Sequence, residues 1–475
     1  MDYKTPGVYV QEISALPPSI APVTTAVPAF IGYTQFATMK VANDLNMTPT
    51  RITSMGDFEM SFGLPVKEDK IKVAITTATD GTRSATATLA EADRSPYMMW
   101  YALRMYFDNG GGPCYICSVG NYATPPAAPV ITDLENGLAA VRKEDEPTLI
   151  VFPEAQYLSV GDFHSLHDLA LQQCADLQDR FVIMDTHGGE TTPPPAPSLN
   201  DPKTVILTAV TAFRNGPSNN LKYGAAYAPN LETNIPFQYD EAKIQVTGSI
   251  PVSPSNLSDL QSGSNGDNQA YHMALAAIGN LTCKLPPSGA IAGIYAAVDN
   301  AQGVWKAPAN VSLTDVIQPT IKISNDDQDQ MNVDTTAGKS VNAIRAFTGM
   351  GTLVWGARTL AGNDNEWRYV NVRRFCTFAE ESIRRATMQF VFEPNDANTW
   401  VKVRGMIENF LTTLWKQGAL MGAKTSDAFY VAVGLGTTMT AIDILEGRMI
   451  VQVGLCPVRP AEFIILQIIQ TMPVS

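Results

Sequence analysis

Charge is what this sequence has little of. Only 17% of its 475 residues are Asp, Glu, Lys or Arg, against about 25% in an ordinary soluble protein. Basic residues are the scarcer sign: 33 Lys and Arg face 46 Asp and Glu, a net of −13. Nucleic acid and anionic membrane are therefore disfavoured as main partners, because both demand a basic face. Hydrophobic residues make up 45%, enough to bury a large core. A chain of this length and apolar content, with little charge to cover it, is the composition expected of a protein whose surface is consumed in an assembly. Its length predicts two or three domains.

Long apolar runs are missing too. The most hydrophobic stretch, Phe463–Ile469, falls far short of the roughly 20 residues that span a bilayer, so no direct membrane insertion is expected. Met1–Gly7 carries no basic segment followed by an apolar one, so no secretory signal is read there, and any route out of the cell is expected to be indirect. Six scattered cysteines fit reduced thiols rather than a disulfide framework. Only four histidines occur, which leaves little material for acid–base chemistry.

Motifs for chemistry are equally sparse. Cys114-Tyr115-Ile116-Cys117 is a lone pair without a second ligand pair, and on a strand residues three apart point to opposite faces. The bland reading is core cysteines. His164 and His167 could share a helix face, but no third ligand is evident and a solvated helix surface is the expectation. Asp326, Asp327 and Asp329 lack the glycine and terminal glutamate of a calcium loop, so Asn325–Asp329 reads as a polar loop. Glu380 and Glu381 form no dyad by themselves. Gly110–Gly112 follow a helix and precede a strand, the wrong order for a phosphate turn. No metal or other cofactor is expected.

What is present is organised. Val8–Ile13 is a short strand candidate set among Pro6, Pro17, Pro18, Pro22 and Pro28, an extended arm by composition. Ala29–Tyr33 is the next strand. Ile71–Thr77 and Ser84–Leu89 flank an Asp80-Gly81 turn and predict a hairpin. Tyr97–Phe107 has helical spacing, and Cys114–Val119 reads as a buried strand. From 126 to 235, helices (Leu134–Arg142, Phe163–Leu177, near Pro202–Phe213) alternate with strands (Thr148–Phe152, Arg180–Asp185, Tyr223–Tyr227), which predicts an α/β layer with a mainly parallel sheet. Residues 236–268, rich in Ser, Asn, Gly and Asp, read as loop with one strand pair. His272–Asn280 is helical. Asp396–Gln417 is the clearest helix, with Val403, Ile407, Phe410 and Leu414 at three- and four-residue spacing and Gly418 just beyond. Strands are predicted at Ala428–Val433, Arg448–Gly454 and Phe463–Gln470. The last is apolar on both faces; left as a free edge it would aggregate, so it must be paired, by a neighbouring chain if this one cannot supply the pairing.

Charge is unevenly placed. Residues 341–475 hold 13 basic and 11 acidic side chains, a net of +2, so the first 340 residues carry −15.

Several strings resemble contractile tail sheath proteins of contractile bacteriophages, R-type bacteriocins and extracellular contractile injection systems. They are Thr5-Pro6-Gly7-Val8-Tyr9-Val10-Gln11-Glu12-Ile13, Pro28-Ala29-Phe30-Ile31-Gly32, Phe107-Asp108-Asn109-Gly110-Gly111, Pro286–Ala290 through Gly303–Asn310, and Gly351–Thr359. The most specific lie later: Asn371-Val372-Arg373-Arg374, Glu380–Ile383, Phe392-Glu393-Pro394-Asn395-Asp396, Trp415–Leu420 and Pro460-Ala461-Glu462-Phe463. The likeness covers roughly 1–35, 95–120 and 275–475 and is loose between. Cys456 stands where most relatives have a small apolar or basic residue.

The resemblance implies a mixed α/β (α+β), multi-domain sheath protomer. Its shared discontinuous core would be built from N- and C-terminal parts, with an inserted α/β domain and extended strand-exchange arms. The expected division is 1–30 as N-terminal arm, 31–125 as the first core part with a hairpin at about 65–95, and 126–270 as the inserted outer domain. The C-terminal core would then be 271–460, and the C-terminal arm 461–475. Such protomers stack as six-fold rings around an inner tube and contract as rigid bodies, tied by exchanged strands. The parts suited to that exchange are Val8, Tyr9, Val10, Gln11, Glu12 and Ile13, and Phe463, Ile464, Ile465, Leu466, Gln467 and Ile468. Implied partners are other copies of the chain, the inner tube protein, and baseplate and terminal cap proteins. The implied place is assembly in the bacterial cytoplasm, then a phage tail or a released or cell-associated particle. The charge division suggests that the C-terminal region faces the tube, with Arg384, Arg385, Lys402, Arg404, Lys416 and Lys424 as tube-contact candidates; intrachain pairs such as Arg404–Glu408 are the alternative. The rival reading is a soluble α/β enzyme with a ligand site at the strand ends of 126–235, around Phe152–Glu154 and Asp185–Gly189.

Overall fold

The computed structural model describes residues 19–187, 202–261 and 266–465. The chain divides into two compact units, one of Thr24–Arg374 and one of Phe375–Ser475 with Met1–Val23.

The larger unit begins with β1 (Pro28–Thr34), β2 (Thr50–Ile52), α1 (Met55–Phe62), β3 (Lys72–Thr77), β4 (Arg83–Thr88), α2 (Met99–Asp108) and β5 (Cys114–Asn121). An alternating stretch follows: α3 (Ile131–Val141), β6 (Leu149–Val151), α4 (Val160–Leu177), β7 (Phe181–Asp185), α5 (Pro202–Arg214) and β8 (Gly224–Ala228). Next come β9 (Leu231–Thr233), β10 (Gln245–Gly248), β11 (Ser255–Asn256), α6 (Leu257–Gln261), α7 (Asn268–Gly279), β12 (Cys283–Leu285) and α8 (Ser288–Gln302). β13 (Val311–Ser312), β14 (Val316–Pro319), α9 (Asn325–Asn332), β15 (Val341–Phe347), β16 (Gly351–Val354) and the first turns of α10 (Val370–Thr387) complete it.

Nine strands form one sheet in the order β13-β16-β15-β8-β7-β6-β1-β5-β2. Its six central strands, β15 to β5, run parallel, and the outer ones join antiparallel. A parallel sheet needs cover on both faces, which is why these strands read as near-continuous apolar runs. One face packs Phe30, Ile116, Val151 and Ile183 with α2 and α8; the other packs Ile31, Cys117, Ile150 and Val182 with α3, α4 and α5. Phe30 and Phe163 are fully buried, each contributing about 1.5–3 kcal/mol of apolar transfer. α8 lies tight against α2: a Cβ on Gly289 or Gly293 would stand 2.5 Å from the carbonyl oxygen of Ala102 or Tyr106.

The hairpin β3–β4 forms as expected, and β10 extends it by pairing parallel with β3. The segment read as mostly loop thus supplies the third and fourth strands of a sheet ordered β11-β10-β3-β4. Partners more than 150 residues apart leave no local signal. The polar loop expected at Asn325–Asp329 is a helix. Ser324 and Asp327 cap α9 reciprocally, and Asp327 and Met331 are buried one turn apart. The dense acids are its first turn, where the helix dipole favours them.

The buried Arg374 guanidinium grips Asp299 of α8 through two hydrogen bonds of 3.0 and 2.5 Å and stands 4.6 Å from the Tyr295 ring.

In the smaller unit α10 continues, followed by α11 (Ala397–Lys416), α12 (Thr425–Ala428), β17 (Phe429–Val433), α13 (Ala441–Leu445) and β18 (Val451–Leu455). Asp396 caps α11 by accepting the Asn398 and Thr399 N–H groups at 3.0 Å, and Val403, Met406, Ile407, Phe410, Leu411 and Leu414 are its buried stripe. β17 and β18 pair antiparallel as a two-stranded sheet. Val23 donates its backbone N–H to Ser382 Oγ at 3.2 Å.

Candidate functional site

An α/β enzyme would bind its ligand beyond the C-terminal ends of the parallel strands, at helix N-termini. Buried polar residues do gather there. Glu154, just after β6, accepts the backbone N–H groups of Met98 and Met99 at 3.1 and 3.0 Å, at the start of α2. Asp185, the last residue of β7, accepts the Ser288 N–H at 2.8 Å and its hydroxyl at 2.6 Å, at the start of α8. Gln156 and Asn230 pair through both amides, and Gln156 also donates to the Thr186 carbonyl. His187 Nε2 lies 3.0 Å from the Leu158 carbonyl. The N-termini of α2 and α8 are thus each filled by a carboxylate of the chain itself. Burial raises Glu154 to about 8 and Asp185 to about 7, against the hydrogen bonds that lower them.

Cys114 and Cys117 belong to the cores on opposite faces of the sheet, and burial pushes both thiols up, Cys117 to about 12. The expectation of a solvated histidine face is corrected. His167 is wholly buried against the Phe163 ring, with Nδ1 2.7 Å from the Phe163 carbonyl, and burial lowers it to about 4. His164 is half-buried. The helix turns these residues toward the core because Phe163, Leu166 and Ala170 share their face. Among the described residues no group of three or more His, Cys, Asp or Glu could hold a metal.

The smaller unit differs in its surface. Phe392 is fully exposed, with φ +72°, a left-handed backbone that bulky side chains rarely adopt. Met388, Val391, Tyr430, Leu435, Ile442 and Leu445 are exposed around the same unit. Phe463, Ile464 and Ile465 are exposed too and lie in no strand. Of the residues expected to exchange strands, Val8–Ile13 and Leu466–Ile468 fall outside the described residues.

The six cations expected at a tube surface divide into two sets. Arg384 and Arg385 both bind Glu381, at 2.6 and 2.5 Å, and Arg404 binds Glu408 at 2.7 Å. Lys402, Lys416 and Lys424 are exposed and form no ion pair among the described residues. The structural boundary also changes the charge division. Arg345, Arg358, Arg368, Arg373 and Arg374 belong to the larger unit, and three of them are buried. Phe375–Ser475 carries 8 basic and 9 acidic residues, a net of −1, so it stays near neutral without the excess of +2.

Comparison with known proteins gives one consistent result. Residues 362–471 match the family model of the phage tail sheath C-terminal domain. Over 144 residues the chain is 31% identical to the tail sheath protein of Burkholderia phage BcepMu, a match covering 29% of this chain and 30% of the phage protein. It thus spans less than a third of that relative's length. Along nearly its full length the chain is similar to the helical sheath of the anti-feeding prophage in the contracted state, with 30% identity and a TM-score of 0.63 over 99% of this chain and 100% of that one. It is likewise similar to the contracted sheath complex of the extracellular contractile injection system PVC, with 30% identity and a TM-score of 0.62 over 99% of each chain.

Proposed function

The chain belongs to the contractile tail sheath protein family, and from that membership we propose that it is a structural sheath subunit. It polymerises as stacked six-fold rings around an inner tube and contracts to drive the tube through a target envelope. The observation that carries this is the full-length match to two contracted sheaths, joined to a smaller unit whose apolar residues are left uncovered in a single chain. Apolar surface of that kind marks a binding face. The subunit's place is a phage tail or an extracellular contractile particle, assembled in the bacterial cytoplasm before release.

Neighbours are tied by exchanged backbone strands. Residues 8–13 of one copy and 463–468 of another extend the β17–β18 sheet of a third, because a two-stranded sheet is marginal alone and offers free edges. The tube is gripped by the cations that are not already neutralised, Lys402, Lys416 and Lys424. Baseplate and terminal cap proteins contact the ends of the polymer. A structural rather than enzymatic role is what the likeness to sheath proteins supports.

Negative-stain imaging of the purified chain tests this. Long hollow cylinders are expected, and none after deletion of residues 1–20; cylinders that survive the deletion overturn arm exchange. Changing Lys402, Lys416 and Lys424 together to Glu is expected to reduce co-sedimentation with the tube protein while leaving the cylinders intact. Unchanged co-sedimentation removes these lysines from the tube surface.

A further inference from the structure

Glu154 and Asp185 do more than fill space at the strand ends. α2 and α8, whose N-termini they cap, are packed against each other through Gly289 and Gly293, so both carboxyls act on one helix pair. We propose that Glu154 and Asp185 form a proton-operated latch, which holds the N-terminal ends of α2 and α8 on the sheet edge when protonated and releases them when ionised.

The geometry carries this in three ways. Both side chains are buried, and among the described residues neither accepts from a Lys, Arg or His. The second oxygen of Glu154 accepts from no side chain and lies so close to β1 that a Cβ on Gly32 would stand 1.9 Å from it, with the Tyr33 backbone N–H of that strand a further donor toward the carboxyl. The groups that face the two acids carry no compensating charge. Glu154 lies near the phenols of Tyr33 from β1 and Tyr122 beyond β5, both raised chiefly by burial and to a lesser degree by its charge, Tyr33 also by its bond to Asp133. Asp185 meets Ser288 of α8 and sits beside Tyr227 of β8, whose hydroxyl bonds Tyr295. The nearest ion pair along α8, Arg374–Asp299, is about three turns away and closed on itself. Ionised, each carboxylate accepts its N–H donors more strongly but remains a buried charge without a counter-ion, and burial is the larger of these effects.

Both acids titrate higher folded than unfolded, so their contribution is complete below about pH 4 and is lost as pH rises toward about 7 for Asp185 and about 8 for Glu154. Amide hydrogen exchange on the full-length chain reads this at Met98, Met99 and Ser288. After correction for intrinsic exchange, the opening constant at these amides is expected to rise between pH 5 and 7 by up to about tenfold per pH unit. It is expected to be level over the same range in the Glu154→Gln, Asp185→Asn double variant. A level profile in the wild-type chain overturns the latch, as does an undiminished slope in the double variant. If the variant does not fold, infrared spectroscopy of the wild-type chain decides instead. Protonated-acid carbonyl absorption should be present at pH 6 and fade in steps near 7 and 8, with Glu68, raised by burial to about 7 against the pull of Arg94, adding one step. No such absorption at pH 6 overturns the latch.

Discussion

The two units of this chain solve opposite problems. Thr24–Arg374 closes on itself: a nine-stranded sheet covered on both faces, buried ion pairs, and polar residues that bond within the unit. Phe375–Ser475 has a well-capped amphipathic helix but only a two-stranded sheet, and it turns Phe392, Ile442, Leu445 and Phe463–Ile465 outward. Stability is expected to reside in the buried contacts of the larger unit and assembly in the exposed apolar residues of the smaller one. Substitutions in the larger unit should be felt in folding, and substitutions on the surface of the smaller unit should be felt in polymer formation.

The largest expected effect is at Arg374–Asp299. Asp299→Asn strands a guanidinium that is 5% exposed, and loss of one partner of a buried pair costs about 3–5 kcal/mol. A lower urea midpoint at unchanged slope checks this; a shift near zero would mean that the larger unit is not held by this contact. Next is His167. Its folded form prefers the neutral ring, down to about 4, so its contribution is complete above about pH 6.5 and is lost as pH falls toward 4. The total is about 3 kcal/mol from a shift of this size, and His167→Gln should flatten the acid limb of a thermal-midpoint profile. Asp396→Ala removes the cap of α11 and should cost about 1 kcal/mol, measured as loss of helix stability by circular dichroism in the smaller unit. The smallest stability effect is at Phe392. Phe392→Ser should alter the unfolding free energy by no more than about 0.5 kcal/mol yet reduce cylinder formation. A large loss of stability with normal cylinders would reverse the division between the units.

Much of this was legible from the residues. The alternation of helix and strand from 126 to 235 announces a parallel layer, and the spacing of Val403, Ile407, Phe410 and Leu414 announces α11. The opposite facing of Cys114 and Cys117 follows from strand geometry alone. Three things were not legible. β10 pairs with β3 across the chain, a contact that no local pattern encodes. α9 was hidden because its acids look like loop until Ser324 and Asp327 are seen to cap each other. The charge division at residue 341 summed arginines such as Arg358, Arg373 and Arg374 into the C-terminal region, though they are buried in the larger unit.

The sequence by itself determined the elements and their amphipathic faces, because periodicity and capping act over a few residues. It also carried the family strings by which the chain is recognised. Only the tertiary structure decided which polar groups meet. Glu154 and Asp185 read as part of a possible ligand site at the strand ends in one dimension and become helix caps in three, because their donors, Met98, Met99 and Ser288, lie 56, 55 and 103 residues away. Burial and partner, the two quantities that set what a carboxylate does, are properties of the fold and not of the neighbours in sequence.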